Sequence, residues 1–473
     1  MTGLADAAPD VARELGTPDH RRPGPGRVLL AVLVALTGLT LFAGYANKAR
    51  CVGPEFDVQG RSVPDFHLRG YRDVCYSDIS KLWLGRDIDR HVFPYLTGSI
   101  TPEGELRGGS VEYPVLSGLL MWVAAVPSHT DAEFLAWSAV LMAPFGMATG
   151  WLLGRLARWR ALLWALAPPL VLYAFHNWDL PVVACAVGAV FVVHAWRSPR
   201  PLADRAVVAA VLLGLGFAIK LYPGAFVLPL TLLVLTAPGR GAPLDWRGAV
   251  RVPIAAAATA VLVNLPFAVA GYEGWRASFA FQERRLVDYT TNSIWYWGFR
   301  PYSEPTNLAF QAAVDRLSPV LVLLSFAVAA AIGWWRWRGE GTYPWIGVSA
   351  AMLCGFLLLH KVHSPQYTLW LLPFFVLLRV HGGLIAAYLV ADLAMGIGIF
   401  RLFLLIDTRA DIAIISGFTS QAVAIGVWGR AALLVALFAV FLRAPTAMAS
   451  PDRPRSRAPG PSPAAAPSAP PPP

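Results

Sequence analysis

The sequence predicts an all-α, polytopic membrane protein. Of its 473 residues, 56% are hydrophobic and only 14% are charged, whereas soluble domains carry roughly 25% charged residues. Mean hydropathy is +0.52, and apolar runs of about the length needed to cross a bilayer recur along the chain. These observations exclude a soluble enzyme, a disordered chain and a small disulfide scaffold.

The two ends of the chain differ in composition from the rest. Residues 1–27 are polar and end in a basic cluster, and residues 444–473 are rich in Pro, Ala and Ser. Neither segment can bury enough apolar surface to fold, so we predict that both are disordered and cytoplasmic. The apolar run 28–46 is longer than the core of a signal peptide and fits an uncleaved signal anchor.

A long polar stretch, 47–112, separates the first apolar run from the others. The later runs lie at 134–156, 160–175, 180–196, 206–219, 222–237, 250–270, 318–335, 343–359, 366–380, 383–405 and 423–442. We therefore predict about twelve transmembrane helices within a membrane domain at 28–443. A shorter apolar segment, 115–126, is bounded by prolines, and we treat it as a short or re-entrant helix that makes a possible thirteenth membrane segment.

Arginine in the short loops predicts the orientation of these helices. With the N-terminus inside and 115–126 not spanning, every short loop on the cytoplasmic side contains Arg, as the positive-inside rule requires; the loops are 154–160, 197–205, 238–251, 336–342 and 379–383. The opposite side then holds a large first outer loop, 47–112, and a second, 271–317. The net charge of +10 thus reflects topology signals, and we expect no nucleic-acid partner.

Unusual polar groups collect on the outer side of this predicted topology. They occupy segments 76–80, 112–115, 176–179, 220–223, 290–297 and 360–367. Ionisable groups at membrane depth are costly and usually line a cavity or pathway. The asymmetry therefore predicts an active site or a binding cavity at the outer boundary of the membrane.

The order and spacing of these segments resemble the polyprenol-dependent glycosyltransferases of the GT-C superfamily. They are most similar to the bacterial membrane mannosyltransferases of glycosyltransferase family 87, over about residues 28–440. The likeness rests on Tyr76-Ser77-Asp78 in the first outer loop, on Glu112-Tyr113-Pro114, and on Lys220, Tyr222 and Pro223 behind an apolar helix. Val115 replaces a second proline that is frequent in the family, and His176-Asn177-Trp178-Asp179 departs from the family's usual segment.

The resemblance implies transfer of a hexose, mannose above all, from a polyprenyl-phosphate sugar to an extracytoplasmic glycolipid or glycan at the plasma membrane. Such a reaction needs a base for the acceptor hydroxyl, and cations for the leaving phosphate. Asp78 is the candidate base, although it could instead be the N-cap of a surface helix. Lys220 is the candidate phosphate ligand, although a lysine there could simply extend to the interface.

The remaining candidates fall into two groups. The other candidates for the donor phosphate are Tyr222, His363, Arg284 and Arg285, and those for the sugar or acceptor are Glu112, Tyr113, Asn177, Asp179, Asn292 and His360.

Some of these residues have an alternative interpretation. Glu112 could equally cap the helix that follows it. His360 and His363 are three residues apart, so we expect both imidazoles on one helix face. The aromatic run Trp295-Tyr296-Trp297 could stack on sugar or form an interfacial belt.

We expect neither a metal nor another cofactor. Asp87 and Asp89 form an Asp-x-Asp pair, but Arg86 and Arg90 flank it, which favours a solvated charge cluster. A polyprenyl monophosphate leaving group also allows Lys and Arg to replace a metal.

The four cysteines divide by location. Cys51 and Cys75 both lie in the first outer loop, and we predict that they are bridged. Cys185 and Cys354 lie in apolar runs and are interpreted as packing residues.

Two other functions remain open on the sequence. A transporter or flippase of a lipid-linked saccharide would need polar groups at mid-membrane and often shows repeated halves. A scaffold in an envelope-polymer assembly complex is the third interpretation.

The topology has a direct test. Because the short inner loops all carry Arg, a cysteine introduced in 197–205 should not react with a membrane-impermeant maleimide added to intact cells, whereas one in 47–112 should react. Labelling of the 197–205 site from outside would contradict the orientation.

Overall fold

The computed structural model describes residues 26–196, 198–409 and 417–448. Within those residues the protein is mostly helical, and six helices are long and apolar enough to cross a membrane. These spans are Arg27–Ala49, Asp131–Ala165, Trp246–Ala270, Leu308–Glu340, Gly382–Thr408 and Phe418–Arg443. The second is the α-helix Asp131–Ala157 continued by the short turns Arg158–Ala161 and Leu162–Ala165. The predicted tails, 1–27 and 444–473, lie almost entirely outside the described residues.

The predicted count of twelve spans is not confirmed, because the other apolar runs form shorter helices. The run 160–175 shows the reason: it is divided into Arg158–Ala161, Leu162–Ala165 and Pro168–Tyr173, and Pro168 cannot continue a preceding helix. The other short apolar helices are Val115–Ala125, Leu180–His194, Leu202–Phe217, Tyr222–Phe226 with Val227–Leu235, Trp345–Leu359, and Pro365–Tyr367 with Thr368–Leu377.

Small residues bring the long helices close together. A Cβ added at Gly150 would lie 2.5 Å from the Thr37 hydroxyl of the first helix, and one at Gly426 would lie 2.6 Å from the Met395 backbone nitrogen. Contacts this close require glycine, which is the usual way in which helices pack in a membrane.

The first predicted outer loop is folded rather than extended. It contains the helices Phe66–Arg72 and Asp78–Gly85 and two antiparallel ribbons, Glu55–Phe56 with Ser62–Val63 and Ser99–Ile100 with Leu106–Arg107. Arg61 and Ser62 of the first ribbon bind the buried Asp131 carboxylate at the start of a long helix, with Arg61 at 3.0 Å. This buried contact fixes the loop on the helical bundle.

The two loop cysteines are joined in the structure. Cys51 follows the first long helix, Cys75 lies three residues before Asp78, and their Cα atoms are 6.1 Å apart. The bond therefore connects the segment before Asp78 to the end of a membrane helix. Cys185 is half-buried and Cys354 is buried, and both are free thiols.

The second predicted outer loop, 271–317, is also structured. It contains Tyr272–Arg284, the 3₁₀ turn Tyr289–Thr291 and Ile294–Gly298, and it leads into the long helix that begins at Leu308.

The chain after the last helix pairs with another segment. The Arg379 N–H donates to Pro445 O at 3.0 Å, the Ala447 N–H donates to Leu377 O at 2.7 Å, and Thr446 bridges Leu378. The first residues of the predicted tail are therefore held in place beside the turn at 379–383.

The disulfide should stabilise the loop without being needed for membrane insertion. Replacing both cysteines by serine (Cys51→Ser with Cys75→Ser) opens a closed loop with a sequence separation of 24. The expected loss is about 3 kcal/mol of folding free energy in the loop, seen as faster proteolysis of 47–112 in a protein that still inserts.

Non-reducing peptide mapping of the parent protein should recover the two cysteines in one linked peptide. Recovery of both as free thiols would contradict the bond.

Candidate active site

Asp78 lies at the start of a helix without capping it. Ser77 is the N-cap: its hydroxyl accepts from the Ile79 N–H at 3.2 Å and donates to Phe175 O at 2.7 Å. The Asp78 N–H donates to His176 O at 2.9 Å. The alternative that Asp78 is a helix cap is therefore not what the structure shows, and its carboxylate is free to make other contacts.

The Asp78 carboxylate accepts two hydrogen bonds. The Tyr76 hydroxyl donates to Oδ1 at 2.9 Å, and the Asn177 amide donates to Oδ2 at 2.8 Å. His176 Nε2 lies 3.8 Å from Oδ2, and the Asp78 side chain is 24% exposed. The carboxylate is thus held rigidly but remains accessible.

Lys220 lies just beyond the helix Leu202–Phe217 and points into the protein. Its ammonium donates to Asn177 Oδ1 at 2.8 Å, lies 3.7 Å from Asp179 Oδ1, and lies 4.6 Å from the centre of the Tyr113 ring. Lys220 is buried. It does not extend to the interface, which was the alternative to a phosphate ligand.

Asn177 connects the candidate base with the candidate cation. Its Nδ2 donates to Asp78 and also to the Tyr113 hydroxyl at 2.7 Å, while its Oδ1 accepts from Lys220. A single amide therefore links residues 78, 113 and 220, which the sequence placed in three different loops.

Asp179 lies on the far side of Lys220 and is fully buried. Its Oδ1 also accepts from the Trp370 indole at 2.8 Å. Tyr222 stacks on the Trp370 ring at 4.4 Å, and Tyr367 stacks on it at 3.9 Å. Asp179 and Tyr222 are therefore buried residues that pack around Lys220 and Trp370.

The environments of the two carboxyl groups shift their pKa values in opposite directions. Burial alone would raise the pKa of Asp78, but the His176 imidazole and the hydrogen bonds from Asn177 and Tyr76 outweigh it and hold the pKa below its ordinary value. Burial also lowers the pKa of His176 to about 4. The imidazole is then neutral near neutral pH, where the ionised Asp78 carboxylate accepts the hydrogen bonds from Asn177 and Tyr76.

Burial dominates at Asp179. It raises the pKa of that carboxyl, and Lys220 and the Trp370 indole offset the effect only in part. Carboxyl groups with pKa values pushed apart by their surroundings are a common feature of sites that move protons.

The two histidines do not share a helix face, so that prediction is wrong. The helix Trp345–Leu359 ends before His360, which has an extended backbone with ψ of 144°, and Pro365 disfavours helix at the residue before it. His360 stacks on Phe356 at 4.7 Å, and burial lowers its pKa to about 4. His363 is buried, and its backbone N–H donates to Thr291 O at 2.8 Å.

Glu112 does not cap a helix, and its carboxylate is paired with an arginine. Arg86 binds its carboxylate with two nitrogens, at 2.8 and 3.3 Å, and Pro114 is the N-cap of the next helix. Arg284 is exposed and donates to Thr101 O at 3.2 Å. Arg285 is half-buried and close enough to His360 to contribute to its lowered pKa.

The aromatic run is buried, so the structure supports neither interpretation made for it. Trp295 donates to Leu359 O at 2.8 Å, and Tyr296 and Trp297 are buried beside it. Asn292, also buried, has a left-handed backbone with φ of 53°, and its Oδ1 has no hydrogen-bond partner among the described residues.

The first carboxylate of the acidic pair at 87 and 89 contacts neighbouring groups of its own loop. Asp87 lies 3.5 Å from Arg90 and accepts from the Gly108 N–H at 2.7 Å. In the part of the chain that the structure describes, no group of three or more His, Cys, Asp or Glu side chains is placed to hold a metal ion.

Sequence reasoning missed four residues of this site. Tyr76 and His176 lie inside the polar segments but received no role, whereas Trp370 lies within an apolar run that hides it. Lys48 is the fourth: it is buried near the end of the first long helix, and its ammonium donates to Tyr76 O at 2.7 Å. A lysine at the end of an apolar run is the only signal that could have identified it.

Removing the Tyr76 hydroxyl should raise the pKa of Asp78. A hydrogen bond to a charged group is worth about 1.5–3 kcal/mol, so Tyr76→Phe should raise this pKa by roughly one to two units. Dicyclohexylcarbodiimide labels protonated carboxyl groups, and mass spectrometry of the Asp78 peptide across pH would give the midpoint.

Tyr45→Phe is the matched control, since Tyr45 packs edge-on against Phe175 and no shift is expected there. Equal midpoints for Tyr76→Phe and the parent would show that the hydroxyl does not stabilise the carboxylate.

Comparison with known proteins places this site in a family. Neither a curated protein nor a solved structure matches the chain. The model of glycosyltransferase family 87 matches residues 112–361, which is more than half of the chain and includes Tyr113, Asn177, Asp179 and Lys220. With its long apolar helices, the chain is a membrane glycosyltransferase and belongs to glycosyltransferase family 87.

Proposed function

We propose that this protein transfers a hexose, with mannose as the proposed sugar, from a polyprenyl-phosphate sugar to the hydroxyl of an extracytoplasmic glycolipid or glycan. The observation that carries the proposal is the single amide, Asn177, that joins an accessible carboxylate to a buried ammonium group. A transfer of this kind needs a base and a phosphate ligand a short distance apart, and Asp78 and Lys220 supply those two groups.

Asp78 is the proposed base. As the acceptor oxygen attacks the anomeric carbon, its proton passes to the Asp78 carboxylate, which the lowered pKa keeps ionised at neutral pH. The bond from the anomeric carbon to the phosphate oxygen breaks as the new bond forms. Direct displacement of this kind inverts the anomeric configuration.

Lys220 is the proposed ligand for the departing phosphate. The polyprenyl phosphate gains negative charge as it leaves, so a fixed ammonium group stabilises the transition state more than the ground state. Asp179 holds that ammonium from the other side. His363 is a second candidate, because its Nε2 is buried and lacks a hydrogen-bond partner among the described residues.

The prenyl chain of such a donor needs an apolar path that ends near Lys220. A narrow cleft between short helices is lined by apolar and aromatic side chains, among them Tyr222, Phe226, Trp370 and Phe374. Tyr222 and Trp370 also border the Asp179–Lys220 pair. The cleft encloses only about 10 Å³, so a prenyl chain would enter along it only after these side chains moved apart.

We place the protein in the plasma membrane with this site on the extracytoplasmic side. The Arg-bearing loops support that orientation, as does the pairing of 379 with 445, which brings two predicted cytoplasmic segments together.

A flippase for a lipid-linked saccharide is the second candidate. It is favoured by one observation, a buried Asp392–Arg430 pair inside two long helices, because transporters place charged groups at membrane depth. Release of free polyprenyl phosphate together with a new glycoside would support transfer. Movement of the intact donor between leaflets without cleavage would support transport.

Turnover by the Asp78→Asn variant tests the base. Loss of a general base typically costs about 10²–10⁴-fold, so turnover of polyprenyl-phosphate mannose by purified enzyme should fall by that factor, with donor binding little changed. Asp87→Asn is the matched control, since Asp87 lies in the same loop but binds Arg90 and Gly108.

A contrasting variant separates the base from the phosphate ligand. Lys220→Ala should reduce donor kcat/KM by roughly 10- to 100-fold, as expected for a lost charge-assisted contact, whereas Lys361→Ala, which breaks a pair with Asp315, should not. If turnover of Asp78→Asn stays within about threefold of the parent, far below the usual contribution of a base, the base lies elsewhere.

A further inference from the structure

Two charged side chains lie inside the last two long helices. Arg430 of Phe418–Arg443 is 3.3 Å from the Asp392 carboxylate of Gly382–Thr408, and the two side chains are 1% and 0% exposed. Buried ion pairs contribute little net stability, because desolvation offsets their attraction. A charged pair within membrane helices is therefore better explained by a specific function than by stability.

The pair holds one segment of the site at two points. The Thr368 hydroxyl donates to Asp392 Oδ1 at 2.7 Å. Arg430 donates to Asn292 O at 3.3 Å, and the carbonyl of the preceding residue, Thr291, accepts the His363 N–H at 2.8 Å. Asp392 thus fixes the segment 363–370 directly, and Arg430 fixes it through the turn at 291–292.

The other side of the same segment contacts the Lys220 site. Trp370 donates to Asp179 Oδ1 at 2.8 Å, and Tyr367 stacks on Trp370 at 3.9 Å. Asp179 in turn lies 3.7 Å from the Lys220 ammonium. Thr368 and Trp370, two residues apart, therefore connect two buried carboxylates on different parts of the bundle.

We infer that Asp392 and Arg430 are positioning residues for the donor-phosphate site. The pair sets the position of 363–370, and through His363 and Trp370 it sets the geometry around Lys220. This inference rests on the proposed function for its catalytic consequence, but the structural part can be measured without activity.

The test removes both charges together. Replacing only one partner would leave an unpaired buried charge and risk unfolding, whereas Asp392→Asn with Arg430→Met leaves no charge and keeps an acceptor for Thr368. The bond from Arg430 to Asn292 is lost. Full-length parent and variant would be compared in lipid nanodiscs.

Hydrogen exchange and kinetics are the two measurements. The His363 amide should lose protection in the double variant, while amides of 382–408 and 418–443 stay protected. With polyprenyl-phosphate mannose as donor, kcat/KM should fall about 10²-fold, the usual cost of a misplaced group, and KM for the acceptor should not change.

Two single variants show whether geometry or charge matters. Arg430→Lys keeps the charge but replaces the two guanidinium nitrogens that bind Asp392 and Asn292 by a single ammonium nitrogen. It should therefore show the same loss of His363 protection and of donor kcat/KM. Thr368→Val should weaken donor use. Thr149→Val should not, because Thr149 is equally buried and bonds only within its own helix.

The outcomes are separable. A folded double variant with a protected His363 amide and the parent's donor kinetics would overturn the inference. If the double variant fails to fold, the Arg430→Lys variant is measured instead. Hydrogen exchange at His363 and donor kinetics that both match the parent would overturn the inference. Faster exchange at His363 together with a lower donor kcat/KM would support it. If the parent does not consume polyprenyl-phosphate mannose, the proposed function fails, and exchange at His363 alone decides whether the pair positions the segment.

Discussion

The hydrogen bonds of the Asn177 carboxamide are the interaction on which the site depends. An amide has donors on one side and an acceptor on the other, so its orientation is determined when an anion and a cation flank it. Here Asp78 and Tyr113 take the donors, and Lys220 with the Trp178 backbone N–H takes the acceptor. One neutral side chain therefore keeps opposite charges apart at a defined spacing, and prevents them from neutralising each other by direct contact.

Among the described residues, the buried carboxylates are otherwise paired with cations across the fold. Asp131 binds Arg61, Asp179 lies beside Lys220, and Asp392 binds Arg430, each pair joining elements distant in sequence. Because an uncompensated buried charge costs several kcal/mol, these pairs specify which segments meet. Asp78 is the exception: it accepts hydrogen bonds from neutral donors and is partly accessible, which the proposed proton exchange requires.

The sequence identified most of the central residues because polar side chains between apolar runs are conspicuous. The residues Asp78, Tyr113, Asn177 and Lys220 were predicted from that pattern, and the structure brings all four together.

The number of membrane helices could not be predicted in the same way, since run length does not reveal where a proline such as Pro168 divides a helix. Nor does spacing show where a helix stops, which is why the expectation for His360 and His363 failed. Asp392, Arg430 and Trp370 lie in apolar runs, and their importance depends on distant partners that only the fold supplies.

The pairing of residues 445–447 with 377–379 holds the end of a short helix that reaches the candidate site. The helix Thr368–Leu377 has ten residues and is therefore about 15 Å long. At its first turn, Thr368 and Trp370 bind the buried carboxylates of Asp392 and Asp179. Its last residue is hydrogen-bonded to the chain that follows the last long helix. Because contacts hold this helix at both ends, residues 445–447 help to set the positions of Thr368 and Trp370. Residues 445–447 are consequently a structural support of the candidate site, and a fusion or a truncation placed at residue 444 would alter that support.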